Sequence, residues 1–331
     1  MSLFNWRKNN NEAVAEPDYD DKTSFLEVKS SSQEPNPIIG NRSVCTICSD
    51  TKKSLNQDCA CQAFVEKTQA HVLAVADGVG SSYKAEVGSR FVCEKAVELV
   101  VDSLENGVID IDFKVLFQAI QEGLDSLIES QYASELPDLK EGSFASTLIV
   151  GIDFSDRFVV AYVGNGSILH IGGNFVKFPA YMCLPWNAVN LLNPHTIEVQ
   201  GKESLYKFFY YKGESFRHTP SVIEVKKNMD DPGDIFVITT DGVYSSDHEL
   251  TVKDEEGELW MPLPKQLGML HEALKQFASA YDELSESRLN QTFVSYLTSL
   301  KDGNVMDDDT TLGVVFSCQA IDYLKKQNIR Q

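Results

Sequence analysis

Four stretches of the chain place aspartate where an apolar run stops or starts: LNQDCA at Asp58, VADGVGSS at Asp77, ITTDGVYS at Asp241, and MDDDTTLGVVF at Asp307, Asp308 and Asp309. A lone Asp-Gly step is usually a turn, in which aspartate bonds its own backbone and glycine takes a left-handed conformation. A second chemistry is open to acidic strand ends so far apart in sequence. If the fold brings them together, the carboxylates repel and raise one another's pKa unless cations compensate. Hard divalent cations take oxygen ligands from carboxylates, backbone carbonyls and water. Two of them sharing a water lower its pKa and organise in-line attack at phosphorus. Asp77 and Gly78 would then offer a side-chain oxygen and a neighbouring carbonyl to one ion.

Positioning such groups needs strands that end together. RSVCTICSD, CACQAFVEK and AHVLAVADG read as strands, followed by amphipathic helices in YKAEVGSRFVCEKAVELVVDSLENG and in DFKVLFQAIQEGLDSLIESQYASEL, where Gly123 is tolerable. SFASTLIVGIDFSDRFVVAYVGNGSILHIGG breaks at DFSD and GNG, which suits an antiparallel meander that SLYKFFYYKG and SVIEVKK continue. DIFVITTDG is a further strand, helical material follows in PKQLGMLHEALKQFASAYDEL and LNQTFVSYLTSL, and TTLGVVFSC closes the organised region. The sum is an α+β protein rich in antiparallel sheet. Residues 1–42 read as a flexible N-terminal tail, 43–320 as one catalytic domain and 321–331 as a C-terminal extension. Phe4 and Trp6 beside Arg7 and Lys8 form a candidate docking motif in that tail.

The net charge of -20 over 331 residues argues against a general grip on nucleic acid, which needs a basic footprint. It does not exclude phosphate chemistry, because a cation bound among carboxylates inverts the local field. No apolar run approaches a membrane span and no secretory segment opens the chain, so a cytoplasmic protein without stable membrane insertion is expected.

Taken in order, the motifs resemble those of the metal-dependent protein serine/threonine phosphatases of the 2C family, especially the bacterial branch. KSLNQDCA is similar to the family's Arg followed by Asn-x-Asp, DGVGS to Asp-Gly-x-Gly-Gly, GSFAST to Gly-Ser/Thr-Thr-Ala, and GNGS to Gly-Asp-Ser-Arg. Thr240, Asp241 and Gly242 match the late Thr-Asp-Gly, and Asp308, Asp309, Thr310 and Thr311 match the closing Asp-x-x-Thr. The resemblance implies a four-layer αββα sandwich, two packed antiparallel sheets flanked by helices, with a binuclear Mg2+ or Mn2+ site at one end. Asp58, Asp77, Asp241 and Asp308 would hold the two ions together with the Gly78 carbonyl, and a metal-bridging water or hydroxide would attack phosphoserine or phosphothreonine. A phosphoprotein is the implied substrate, a serine/threonine kinase of the same pathway being one candidate.

Departures from the pattern carry their own expectations. Lys53 stands where the family has a phosphate-binding arginine, and a lysine attracts phosphate without the bidentate fork. Asn165 replaces an aspartate linked to a third ion; as a supporting or alternative ligand its amide can still bind but adds no charge, so that ion should be weak or absent. Val79, Ser81, Phe144 and Ser245 are further differences from relatives. Spacing to Thr311 favours Asp308 as the closing ligand, with Asp309 a supporting or alternative ligand and Asp307 a solvated turn residue or a group behind the ligands. Lys53, Asn165 and Ser81 motivate the alternative of a catalytically weak or inactive phosphatase-like regulatory binding module.

CTIC and CAC set Cys45, Cys48, Cys59 and Cys61 close in sequence and invite a zinc reading, but alternation puts Cys59 and Cys61 on one strand face, which favours core packing. No H-E-x-x-H and no Walker loop is present. The segment from about 184 to 230 could supply substrate contacts, although its aromatic run Phe208–Tyr211 reads more simply as a packed strand.

Overall fold

Alternation of side chains along extended chain decides the layering. In β4 (Ala70–Ala76), Val72, Ala74 and Ala76 pack toward helices, while Leu73 and Val75 face a second sheet. The computed structural model describes residues 38–39, 43–51, 53–172, 188–199, 202–227, 233–242, 270, 273–274, 276, 286–303, 306 and 308–328. One antiparallel sheet has five strands: β11 (Ser221–Lys226), β6 (Arg157–Val163), β5 (Leu148–Asp153), β4 and β3 (Cys59–Val65), in that order. The other has six: β1 (Ile38–Ile39), β2 (Ser43–Asp50), β13 (Thr310–Ser317), β12 (Asp234–Thr239), β7 (Ser167–Gly172) and β8 (Ala188–Asn190). A separate hairpin joins β9 (Thr196–Val199) to β10 (Lys202–Leu205).

Each sheet carries helices on its outer face. Over the first lie α1 (Ala85–Glu105) and α2 (Phe113–Gln131), whose buried Phe113, Leu116, Phe117, Ile120, Leu124 and Ile128 repeat at helical spacing. Each such side chain stabilises by roughly 1.5–3 kcal/mol relative to exposure. Asp112 caps α2, its carboxylate accepting from the Lys114 and Val115 amides at 3.0 and 3.2 Å. Over the second sheet, Phe293, Tyr296, Leu297 and Leu300 of α3 (Glu286–Asp302) pack with Leu270, Leu274, and Ala320 and Ile321 of α4 (Cys318–Asn328). Between the sheets, Cys45, Ile47, Leu73, Val75, Phe158 and Phe236 belong to the inner core, the two phenyl rings stacked at 4.3 Å. The expected αββα sandwich is the architecture found. Among the described residues no helix is long and apolar enough to cross a membrane.

Two sequence readings change. The GNG step does not continue a meander: β6 pairs within the first sheet, whereas β7 pairs with β12 in the second. Gly164 and Gly166, at φ of +103° and +112°, make that crossing; a side chain at Gly166 would stand 2.3 Å from the Thr239 carbonyl oxygen. The aromatic run is not a strand but touches the sheet through one bridge, Phe209 with Ser146, and buries Phe209 and Tyr210. Ile38–Ile39, in the stretch read as tail, pairs with Cys45 and Val44, and α4 runs across the boundary drawn at residue 320. The Phe4–Lys8 motif, Ser245, Asp307 and most of the helical reading from 264 to 284 lie outside the described residues.

At one end of the sandwich the core closes on polar groups. Lys227 pairs with Asp153 at 2.6 Å, Ser43 donates to Asp153 at 2.9 Å, and buried His71 meets the Ser43 carbonyl through Nε2 at 3.1 Å. Burial pushes the His71 pKa down to about 4 from 6.5, with Lys227 assisting and the Ser43 hydrogen bond opposing. Below 6.5 the unfolded chain gains a proton that the folded chain refuses until about 4, so stability is full above that window and falls with pH inside it. Denaturant unfolding at pH 7 and pH 4.5 should show His71→Gln losing about 2–3 kcal/mol less over this interval than the wild type. Equal losses in the two proteins would show that His71 does not set this dependence.

Candidate active site

The opposite end of the sandwich is where the aspartates meet. In the first sheet the start of β3 lies beside the end of β4, with Cys59 opposite Ala76. In the second the end of β12 lies beside the start of β13, with Thr239 opposite Leu312. Asp58, Asp77, Asp241 and Asp308 each stand one or two positions beyond those strand ends, so two antiparallel pairs deliver four carboxylates to one place. The glycines after Asp77 and Asp241 serve this approach and are not in the left-handed region. A Cβ at Gly78 would stand 2.8 Å from the Ala85 and Gln57 carbonyl oxygens, and one at Gly242 would stand 2.1 Å from that of Asp309. Close backbone packing is therefore the reason for both Asp-Gly steps.

Asp58 is buried and held from the other sheet. Thr240 and Thr311 both donate their hydroxyls to its Oδ2 at 2.7 Å, and Thr240 Oγ1 accepts from the Thr311 amide at 2.9 Å. Its Oδ1 is buried with no hydrogen-bond partner. Asn165 donates to Asp241 Oδ2 at 2.8 Å, and its own Oδ1 is likewise buried and unmatched. At Gly78 the bridge to Ser146 engages the Asp77 carbonyl (from Thr147 N, 2.8 Å) and the Val79 amide (to Ala145 O, 3.0 Å).

Desolvation and mutual repulsion dominate the electrostatics. Burial pushes the Asp58 pKa up to about 7 against the two threonine hydrogen bonds. Burial, then the charges of Asp58, Asp241 and Asp308, hold Asp77 well above the carboxylate range. Asp241 is raised by burial and by Asp308, with Asn165 opposing. Lys53 pairs with Asp308 and stands 3.6 Å from Asp309; burial works against its charge, yet Asp308, Asp309 and Asp77 raise its pKa.

Asp308 and Asp309 divide. The Asp308 side chain is 46% exposed at the mouth of the site, whereas that of Asp309 is fully enclosed. Asp309 accepts from Thr51 Oγ1 and, at 2.8 Å, from the Gln57 amide. Gln57 in turn accepts from Gly78 N at 3.1 Å and Ser89 Oγ at 2.5 Å. Asp309 thus fixes the backbone beside Asp58 and Gly78, and Asp308 is the freer oxygen donor.

The profile of the protein phosphatase 2C family matches residues 50–279. The chain belongs to this family. Among solved structures it is similar to a bacterial serine phosphatase, at 16% identity and TM-score 0.53, covering 82% of this chain and 96% of that one. The serine/threonine phosphatase of S. agalactiae is 16% identical with TM-score 0.52, over 83% and 99% of the two chains. Serine-threonine phosphatase 2C of Toxoplasma gondii is 14% identical with TM-score 0.53, over 85% and 97%. At such identities the likeness is one of fold. No curated protein matches the chain in sequence. Membership of the phosphatase 2C family carries its general chemistry, metal-dependent hydrolysis.

The residues fit a divalent centre on their own terms. Every facing donor is a hard oxygen, a buried Asp58 oxygen and a buried Asn165 oxygen lack partners, and carboxylates held above their usual range need positive charge. Sequence reading placed the carboxylates, Gly78 and Lys53 but gave no task to Thr51, Gln57, Thr240 or Thr311. Two of these, Thr240 and Thr311, were legible only as motif letters; their hydroxyls gain meaning once β12 and β13 stand opposite β3. The four early cysteines do not converge. Cys48 lies on the helix side of the second sheet, Cys45 between the sheets, and Cys59 and Cys61 under α1, because an odd spacing puts Cys45 and Cys48 on opposite strand faces.

Burial and the neighbouring carboxylates already disfavour the charged form of Asp77, so its neutral isostere should be tolerated in the metal-free protein. Asp77→Asn should leave the Tm of metal-stripped protein within roughly 2 °C, under about 1 kcal/mol, and remove most of the rise that Mn2+ produces in the wild type. A large fall in the metal-free Tm would instead make Asp77 a structural residue.

Proposed function

We propose that this chain is a Mg2+- or Mn2+-dependent protein phosphatase acting on phosphoserine and phosphothreonine. The observation that carries the proposal is the convergence of Asp58, Asp77, Asp241 and Asp308 on one sandwich end, with an unmatched buried oxygen on Asp58. Two divalent ions, when bound, supply a water of lowered pKa and neutralise charge on the phosphoryl oxygens.

The protein's own groups have distinct tasks in this reading. Thr240 and Thr311 hold Asp58 by one oxygen and turn the other to the site. Asn165 orients Asp241 while adding no charge, which accords with a weak or absent third ion. Lys53 lies at the mouth, 39% exposed, where it attracts a phosphate dianion once a cation takes over its partner Asp308. A cavity of about 590 Å3 opens beside the Asp77 loop, bounded by Ser81, Tyr83, Glu135, Asp138 and Lys140, with room for residues flanking the phosphorylated side chain. A folded phosphoprotein, a serine/threonine kinase among the candidates, is the proposed partner, and a bacterial cytoplasm the proposed setting.

The test is release of inorganic phosphate from a phosphothreonine peptide by metal-stripped protein titrated with Mn2+ or Mg2+. Release should require metal, vanish in Asp241→Asn and fall about 10- to 100-fold in Thr311→Val, which keeps the branched shape but drops the hydroxyl that orients Asp58. Release that survives chelation or Asp241→Asn would overturn the mechanism. Metal binding without release from any phosphopeptide would favour the regulatory module.

A further inference from the structure

Away from the carboxylates, α1 and β3 meet through sulfur. Cys59 and Cys61 lie on the face of β3 turned to α1, and Cys93 projects from α1 onto them. The three sulfur atoms all lie within 4.8 Å of one another. All three residues are buried, at 5%, 3% and 0% exposure. A weak contact from Cys93 Sγ to the Ala74 carbonyl, at 3.4 Å, helps tie the group to the backbone. Asp58 turns its carboxylate to the opposite side, where Thr240 and Thr311 hold it, so the sulfurs belong to a separate environment.

We propose that Cys59, Cys61 and Cys93 form a binding site for a thiophilic cation, copper(I) or zinc, that pins α1 to β3. Thiolate sulfur selects such soft ions over Mg2+ and Mn2+, which prefer the oxygen donors on the other side of the strand. With metal–sulfur bonds of about 2.3 Å, three sulfurs around one ion stand roughly 4 Å apart. That separation falls inside the 4.8 Å envelope of the three sulfurs. Three sulfurs satisfy copper(I) without further help, whereas zinc calls for a fourth ligand. Each thiol that ligates gives its proton to solvent, so uptake of the ion releases protons and leaves a closed, dry centre.

Such an ion sits one residue from Asp58 along β3. The same helix already touches the catalytic end, through Ser89 Oγ to the Gln57 carbonyl and through Ala85 against Gly78. A cation at the sulfurs therefore fixes a second point of the α1–β3 contact.

The experiment uses the full chain, reduced and metal-stripped, titrated with Zn2+ or with copper(I) delivered from a chelator complex. Metal per chain after desalting, thiol protection and Tm are read together. The expected result is one retained ion that protects three thiols and raises Tm, in wild type, Asp77→Asn and Cys48→Ala alike. It should be lost in Cys93→Ala and in Cys61→Ser, each with native circular dichroism. Copper(I) retained alone assigns a site of three sulfurs only, and zinc retained as well assigns one completed by a fourth ligand. Three findings would each overturn the proposal, leaving the cysteines as core packing: no ion retained by wild type, retention by folded Cys93→Ala, or loss in Asp77→Asn. If the Cys93 and Cys61 variants fail to fold, X-ray absorption of the metal-loaded wild type decides: three sulfur neighbours at about 2.3 Å support the site, and oxygen neighbours alone overturn it.

Discussion

Everything at the carboxylate end of the sandwich depends on the grip of Thr240 and Thr311 on one oxygen of Asp58. These hydrogen bonds run from the strand ends of one sheet to the strand start of the other, so they join the two halves of the sandwich where like charges push them apart. A buried carboxylate is tolerated when hydrogen bonds satisfy it, and here they satisfy half of it. The other oxygen is buried without a partner, and beside it burial and neighbouring carboxylates raise the Asp77 pKa. Geometry and electrostatics thus arise from one arrangement: strands must end together for the threonines to reach, and once they do, the aspartates crowd.

The rest of the fold serves to keep those ends in register. Small side chains on the helix face of β4, Ala74 and Ala76, admit α1 closely, and α1 carries Ser89 to the Gln57 carbonyl beside the site. Asp309 holds the same residue through its amide. The polar cluster of Ser43, His71, Asp153 and Lys227 closes the far end, leaving the sandwich polar at both ends and apolar through its middle. The crossing at Gly164 and Gly166 lets consecutive strands belong to different sheets, which is how Asn165 comes to lie against Asp241.

Much of this was legible beforehand. Strands β2 to β6, β12 and β13 and helices α1 and α2 follow from apolar periodicity and from turn residues at their ends, and four of the aspartates stand out by position. The motif order added the sandwich. Two readings failed because they depended on pairing partners: the GNG step looked like a hairpin turn, and the Phe208–Tyr211 run looked like a strand. A local pattern shows that a segment is extended or apolar, but it does not say which sheet or neighbour receives it.

The sequence by itself determined which residues could do chemistry: acidic side chains at strand ends, glycines beside two of them, a lysine upstream, and cysteines two apart on a strand. Those are properties of residue type and of periods of two and 3.6, which short stretches carry in full. Only the tertiary structure decided that Asp309 is enclosed while Asp308 is open, that Thr240 and Thr311 serve Asp58, and that Cys93 joins Cys59 and Cys61 in place of Cys45 and Cys48. Each of those outcomes is a contact between residues far apart in the chain, fixed by sheet order and helix docking. Their physical cause, burial shared between distant segments, has no counterpart in any single stretch of sequence.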